Sequence, residues 1–197
     1  MSTEAYVVVL FFHLLSMLFM AAPLYMLVIV NERARFAVPA GYNTDRYMEN
    51  IIKNQPVRCY AYLGVIVVTG ILLTWYGIEN KGLAWTDWAL IAKLVVTALL
   101  FFLLSYVHKG IQPQIEAILS KVKPGEELPA SERPTLVRWR MRRKRLSATC
   151  LFLVLTAMIM GLRVTLSYAP WLVLVFVVAA ALFAYRAYRV PVRMGWF

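Results

Sequence analysis

Histidine and cysteine are almost missing from this chain, which holds two of each. Acid is scarce too: 10 Asp and Glu stand against 21 Lys and Arg. From Ala5 to Val30 there is no formal charge at all. Each shortage excludes something. Two histidines cannot build the four-histidine, two-haem bundle of the cytochromes b. Two cysteines cannot frame a disulfide-stapled domain, and no CxxC pair occurs. There is also no HExxH, no phosphate-binding glycine loop, and no Ser, His and Asp that share one depth in the chain.

Apolar side chains fill the space these absences leave. They make up 61% of 197 residues, more than a soluble domain of this length can hide. Mean hydropathy is +0.66. A hydrocarbon core about 30 Å thick needs roughly 20 apolar residues per helix. Five segments meet or approach that: Ala5–Val30, Cys59–Ile78, Trp85–Val107, Leu146–Leu162 and Ala169–Tyr185. They are too long and too uniformly apolar for barrel strands, which alternate with period two. A helix satisfies its own backbone in lipid, so the expected class is an all-α polytopic membrane bundle. One transmembrane domain over residues 1–197 is expected, with connecting loops 31–58 and 109–145. MSTEAY carries no basic residue, so the first span reads as a retained helix and not as a cleaved signal peptide.

A net charge of +11 resembles a nucleic-acid signature until its placement is considered. Eighteen of the 21 basic residues fall in segments 31–58, 109–145 and 186–193; the exceptions are Lys81, Lys93 and Arg163. Basic loops stay in the cytoplasm. The expected topology therefore has the N-terminus outside and the C-terminus inside, in the inner (plasma) membrane, with no nucleic-acid partner. RWRMRRKR, Arg138–Arg145, reads as a topology anchor or an anionic-lipid contact. Trp85, Trp88 and Trp171 belong to an outer aromatic belt, Trp139 and Trp196 to an inner one.

Cys59 and Cys150 lie at the inner ends of their spans, where small buried residues or soft metal ligands are the two readings. Ile111, Ile115, Ile118, Leu119 and Val122 recur at helical spacing after span three, so that span should continue as an amphipathic helix. Thr44-Asp45 suits the start of a short interfacial helix. The short loop 79–84 makes an antiparallel hairpin of spans two and three. Small residues, among them Gly64, Thr69 and Gly70 in span two and Ala157 and Gly161 in span four, mark expected close approaches of helices.

Ionisable groups inside a bilayer are costly and are functional candidates by default. His13 stands eight residues from the start of span one, and Lys93 eight from the start of span three. At 1.5 Å per residue both lie roughly 12 Å below the outer surface. Lys93 is too deep to snorkel easily and needs a partner: an anion, a carbonyl, or His13. The shared level points to one polar cavity with His13 and Lys93 as its catalytic or cofactor-binding pair. His13, Met17 and Met20 also fall at i, i+4 and i+7 on one helix face, a set suited to copper or haem iron. Packing is the alternative for all three. Arg163, at the outer end of span four, can pair a carboxylate bidentately. His108 lies about 22 Å along the helix from Lys93. It can serve only a second cofactor site or a proton relay, or sit as an interfacial ring. Asp87 suits the N-terminus of span three and reads as structural.

The segments FFHLLSMLFMAAPLYMLVIV, YLGVIVVTGILLTWYG and WALIAKLVVTALLFFLLSYVHKG, with RRKRLSATCLFLVLTAMIMGL, resemble the copper-resistance D-like membrane proteins and the related HemJ-type protoporphyrinogen oxidases. The resemblance covers about residues 5–110 and the start of span four. It implies a histidine at position 13 and a lysine at position 93 needed for haem binding and porphyrinogen oxidation, or copper handling in the copper-resistance relatives. The chain differs in its fifth span, in lacking a tryptophan just after His13, and in its long basic loop before span four. Three functions follow as expectations. One is a haem b redox protein acting on a tetrapyrrole or quinone, an oxidoreductase if it is an enzyme. Another is a copper-handling or transport protein using His13, Met17 and Met20. A third is a structural subunit that meets lipid and other membrane subunits or further copies of itself.

Overall fold

The computed structural model describes residues 2–31, 42–53, 55–166 and 168–189. Helix dominates them. α1 spans Thr3–Asn31, α2 Tyr42–Lys53, α3 Gln55–Lys81 and α4 Trp88–Tyr106. A π-helical turn, Val107–Ile111, passes α4 into α5, Gln112–Leu119. α6 runs Arg133–Leu166 and α7 Pro170–Arg189. Among the described residues five helical stretches are long and apolar enough to cross a membrane, so the chain is a multi-pass membrane protein.

Local chemistry sets the helix ends. Asp87 caps α4, its carboxylate accepting from the backbone N–H groups of Ala89 and Leu90; a side-chain oxygen there satisfies donors that the first turn leaves open. The helix therefore starts at Trp88, and Trp85 lies in the turn before it. Pro170 opens α7, where its missing N–H has no bond to lose. Pro23 lies inside α1 and is buried, a position that neighbouring helices make tolerable in a membrane segment.

α6 is the central element and packs on α1, α4 and α7, while α3 packs chiefly on α1. Met17, Met20, Leu24, Leu63, Ile66, Leu100, Leu151, Val154 and Ala157 form the mid-bundle core. Large apolar side chains such as Phe11, Leu18, Ile71, Phe102 and Leu174 point outward, which suits hydrocarbon and would suit water badly. The expected hairpin of spans two and three is looser than the short loop suggests. α3 and α4 make few contacts. One joins Tyr60 to Ser105, O–H···O 3.1 Å, near the basic ends of these helices. Each leans on a different neighbour, and towards the other end a cavity separates them.

At 34 residues, α6 is about 51 Å long and outruns the hydrocarbon core by several turns. Its basic first third stands beyond the bilayer, and here one sequence expectation is corrected. The run Arg138–Arg145 is not simply an exposed anchor. Arg140, Arg143 and Lys144 are buried, and only Arg138, Arg142 and Arg145 face out. Two of these three, Arg140 and Arg143, meet α2, whose Asp45 and Glu49 share one face at i, i+4. Arg140 bonds Asp45 at 2.5 Å and Glu49 at 3.2 Å. Arg143 holds both oxygens of Glu49 at 2.8 and 2.9 Å, and also bonds Asn31 at 2.9 Å and Gln112 at 2.7 Å. One guanidinium thus joins α1, α2, α5 and α6. Beside it Ile111, Ile115, Ile118, Leu119 and Val122 close a second apolar cluster with Leu128 and Leu136, so the amphipathic extension of span three packs inward as expected. Trp139 packs against that cluster. Pro39, Gly41, Arg193 and Trp196 lie outside the described residues.

Candidate functional site

α1, α3, α4, α6 and the loop after α3 enclose a cavity of 620 Å³ at the end of the bundle opposite the basic cluster. Its walls are mostly apolar, from Leu10, Leu14, Met17, Leu73, Leu90 and Leu162. Its charged and imidazole groups are His13, Lys81, Lys93 and Arg163, with Asp87 already spent on the α4 cap, and Tyr6, Thr74, Thr86 and Thr165 add hydroxyls. A pocket of this size, apolar with a few convergent polar groups, suits a ligand of cofactor dimensions; such sites span roughly 300–1,000 Å³.

His13 and Lys93 meet in it. Lys93 Nζ lies 3.1 Å from His13 Nε2. The other ring nitrogen, Nδ1, lies 2.7 Å from Thr69 Oγ1. Thr69 in turn donates its hydroxyl proton to the carbonyl of Val65, 2.5 Å away, one turn back along α3. Three helices therefore supply three members of one line of hydrogen bonds. The ring is only 4% exposed. Two glycines clear the space. A Cβ at Gly70 would stand 3.4 Å from His13 Cε1, and one at Gly161 3.5 Å from Lys93 Nζ. Gly64, by contrast, has nothing within 4 Å of a would-be Cβ and marks no close approach, contrary to the sequence expectation.

The remaining candidates separate. Met17 borders both the mid-bundle core and the cavity, whereas Met20 lies in the core and does not line the cavity, so the helical His13–Met17–Met20 set is divided. Arg163 lines the cavity, and its Nε is buried without a hydrogen-bond partner among the described residues. His108 lies in the π turn near the basic end, its ring edge-on to Tyr60 at 5.9 Å between centroids and its Nδ1 also unpartnered. It is not part of the His13 cavity. Cys59 and Cys150 are both free and buried. Among the described residues no three His, Cys, Asp or Glu side chains converge as a metal-ligand group.

Two polar features escape a reading of the sequence. Thr69 was legible only as a small residue, although one turn of helix separates it from a carbonyl that takes its proton. The Arg143–Glu49 cluster was hidden because its cations counted as topology signals; two acids at i, i+4 in an otherwise basic loop were the available clue.

The donor set fits a haem. Imidazole and amine nitrogens are both competent iron ligands, the unpartnered Nε of Arg163 suits a carboxylate, and the walls are mostly apolar. Compared with protein-family models, with curated proteins and with solved structures, the chain matches none.

Proposed function

We propose that the chain is an integral membrane redox protein that holds haem b in the cavity between α1, α3, α4 and α6, and that it acts on a tetrapyrrole or passes electrons to a quinone. The observation that carries this reading is the convergence of His13 and Lys93, 3.1 Å apart, on one wall of a 620 Å³ apolar cavity. Histidine and lysine are expensive inside a bilayer, and two of them on different helices at one point need a purpose. The resemblance of the FFHLLSM and WALIAKL segments to HemJ-type oxidases supports the same centre.

His13 is the residue that would hold the iron through Nε2; Lys93, once its hydrogen bond to that nitrogen is released, would be a second ligand, a propionate partner or a proton-transfer group, and Arg163 would hold a carboxylate at the cavity wall. The haem, when bound, supplies the one-electron chemistry. The chain supplies the rest. Leu10, Leu14, Leu73 and Leu90 keep water from the reacting centre. His13 turns Nε2 towards Lys93, which places exchangeable protons beside it. On the charge rule the cavity opens to the outer side of the inner membrane. A copper site is less well supported, because Met20 faces the core.

Absorption spectra of the detergent-purified protein, before and after dithionite, test this. A Soret band that sharpens on reduction and disappears in His13→Ala is the expected result. A featureless visible spectrum from cells supplied with haem, with copper in the metal analysis, would replace the haem reading with the copper one.

A further inference from the structure

We infer that Thr69 is the positioning residue that fixes the tautomer of His13, leaving Nε2 unprotonated on the cavity side, where it accepts from Lys93. The proton count along the hydrogen-bond line decides the tautomer. A threonine hydroxyl has one proton to give. Thr69 Oγ1 lies 2.5 Å from the carbonyl of Val65, which can only accept. The hydroxyl proton is therefore spent, and towards His13 Nδ1 at 2.7 Å the same oxygen must act as acceptor. Nδ1 then carries the ring proton. A neutral imidazole has only one, so Nε2 is unprotonated and accepts from Lys93 Nζ at 3.1 Å.

This arrangement runs against the habit of the free side chain, which as a neutral ring in water favours the proton on Nε2. The helix backbone provides the bias. Val65 stands four residues before Thr69, so the carbonyl that locks the hydroxyl belongs to the same turn of α3. Gly70, the next residue, leaves the room that the ring occupies beside α3: its would-be Cβ is 3.4 Å from Cε1. The line also ends at a carbonyl, so no proton leaves through Thr69. Exchange at His13 is confined to the cavity side. Second-sphere partners of ligating histidines set tautomer and ring orientation in this way, and their loss typically costs about 10–100-fold in ligand affinity. That consequence for haem rests on the proposed function; the tautomer does not.

Histidine NMR on protein labelled with 15N and 13C at histidine, purified without added haem, tests the inference. The chain has two histidines, so His108→Gln leaves a single-ring spectrum of His13. The expected spectrum has a protonated, pyrrole-like Nδ1 and an unprotonated, pyridine-like Nε2. Thr69→Ser should keep it, because the hydroxyl remains. Thr69→Val, of nearly the same shape, should move the ring proton wholly or partly to Nε2, and should weaken haem retention about 10–100-fold relative to Thr69→Ser. An Nε2–H ring in the parent protein would overturn the inference, as would an unchanged Nδ1–H ring in Thr69→Val. Absence of a Soret band in haem-supplied protein would sink the haem reading while leaving the tautomer result standing.

Discussion

At the scale of single residues, the candidate site depends on what is missing as much as on what is present. His13 and Lys93 fit because positions 70 and 161 carry no side chain. The distances grade the consequence. A methyl group at Gly70 would stand at ordinary contact with the His13 ring, 3.4 Å, so Gly70→Ala should be tolerated. Gly70→Val adds two further carbons to the same face and must push the ring off Thr69. Overpacking of this kind costs about 1–3 kcal/mol. In haem-supplied protein Gly70→Val should lose the Soret band that Gly70→Ala keeps, and thermal unfolding in detergent should drop modestly for the valine variant alone. Equal spectra for the two would mean that the ring has other room. Much of this pairing was legible beforehand. Two costly groups at equal depth on different helices announced a shared cavity, because depth follows from a fixed rise per residue. What could not be read was azimuth. Met20 is three residues from Met17, yet only Met17 reaches the cavity, and Thr69 turns to the ring. No count along one helix says which neighbour stands on which side.

At the scale of elements, the basic end is held by a charge cluster and not by hydrophobic area alone. α2 presents Asp45 and Glu49 to Arg140 and Arg143, with all four side chains almost wholly buried. Burial by itself would raise the carboxyl of Glu49, but the hydrogen bonds and charge of Arg143, joined by those of Arg140, override it and hold Glu49 below its ordinary value of 4.5. The linkage has a definite sign. A carboxylate depressed in the folded state binds fewer protons there than in the unfolded chain, so its contribution is complete above about pH 4.5 and is lost as pH falls through the lower folded value. α2 should therefore stay docked from neutral pH down to about 4.5 and release in stronger acid. Glu49→Gln should weaken docking from neutral pH down to about 4.5, by about 3–5 kcal/mol, because it leaves a buried guanidinium short of its counter-charge. It should also erase the acid step. Hydrogen exchange across Tyr42–Lys53, followed against pH, reads both effects. An acid step unchanged in Glu49→Gln would assign it to another group. The amphipathic pattern of residues 111–122 was legible because apolar spacing names a face directly. Arg140 and Arg143 were not, since a cation has the same one-letter identity whether it serves water, lipid or a buried acid.

For the whole molecule, hydropathy set the number of crossing helices, but it did not set who packs on whom. Loop length made α3 and α4 look like a closed pair; the structure separates them towards the cavity, and packing on α1 and α6 decides their lean. Orientation rests on charge in the same general way, and the structure sharpens which charges count. Arg140 and Arg143 are neutralised by acids before any lipid headgroup meets them. The outward set, Arg138, Arg142 and Arg145, is what remains in α6 to read the sign of the membrane surface. Basic residues near an anionic leaflet contribute about 1 kcal/mol each. Single cysteines placed in a Cys59→Ala, Cys150→Ala background make the test. Ser2→Cys and Asn80→Cys should react with an impermeant maleimide in intact cells, and Ser131→Cys only after permeabilisation. Neutralising Arg138, Arg142 and Arg145 together should blur that pattern or weaken lipid association while α2 stays docked. Labelling of Ser131→Cys in intact cells would invert the molecule. The His13 cavity would then open to the cytoplasm, and its ligand would have to arrive from that side.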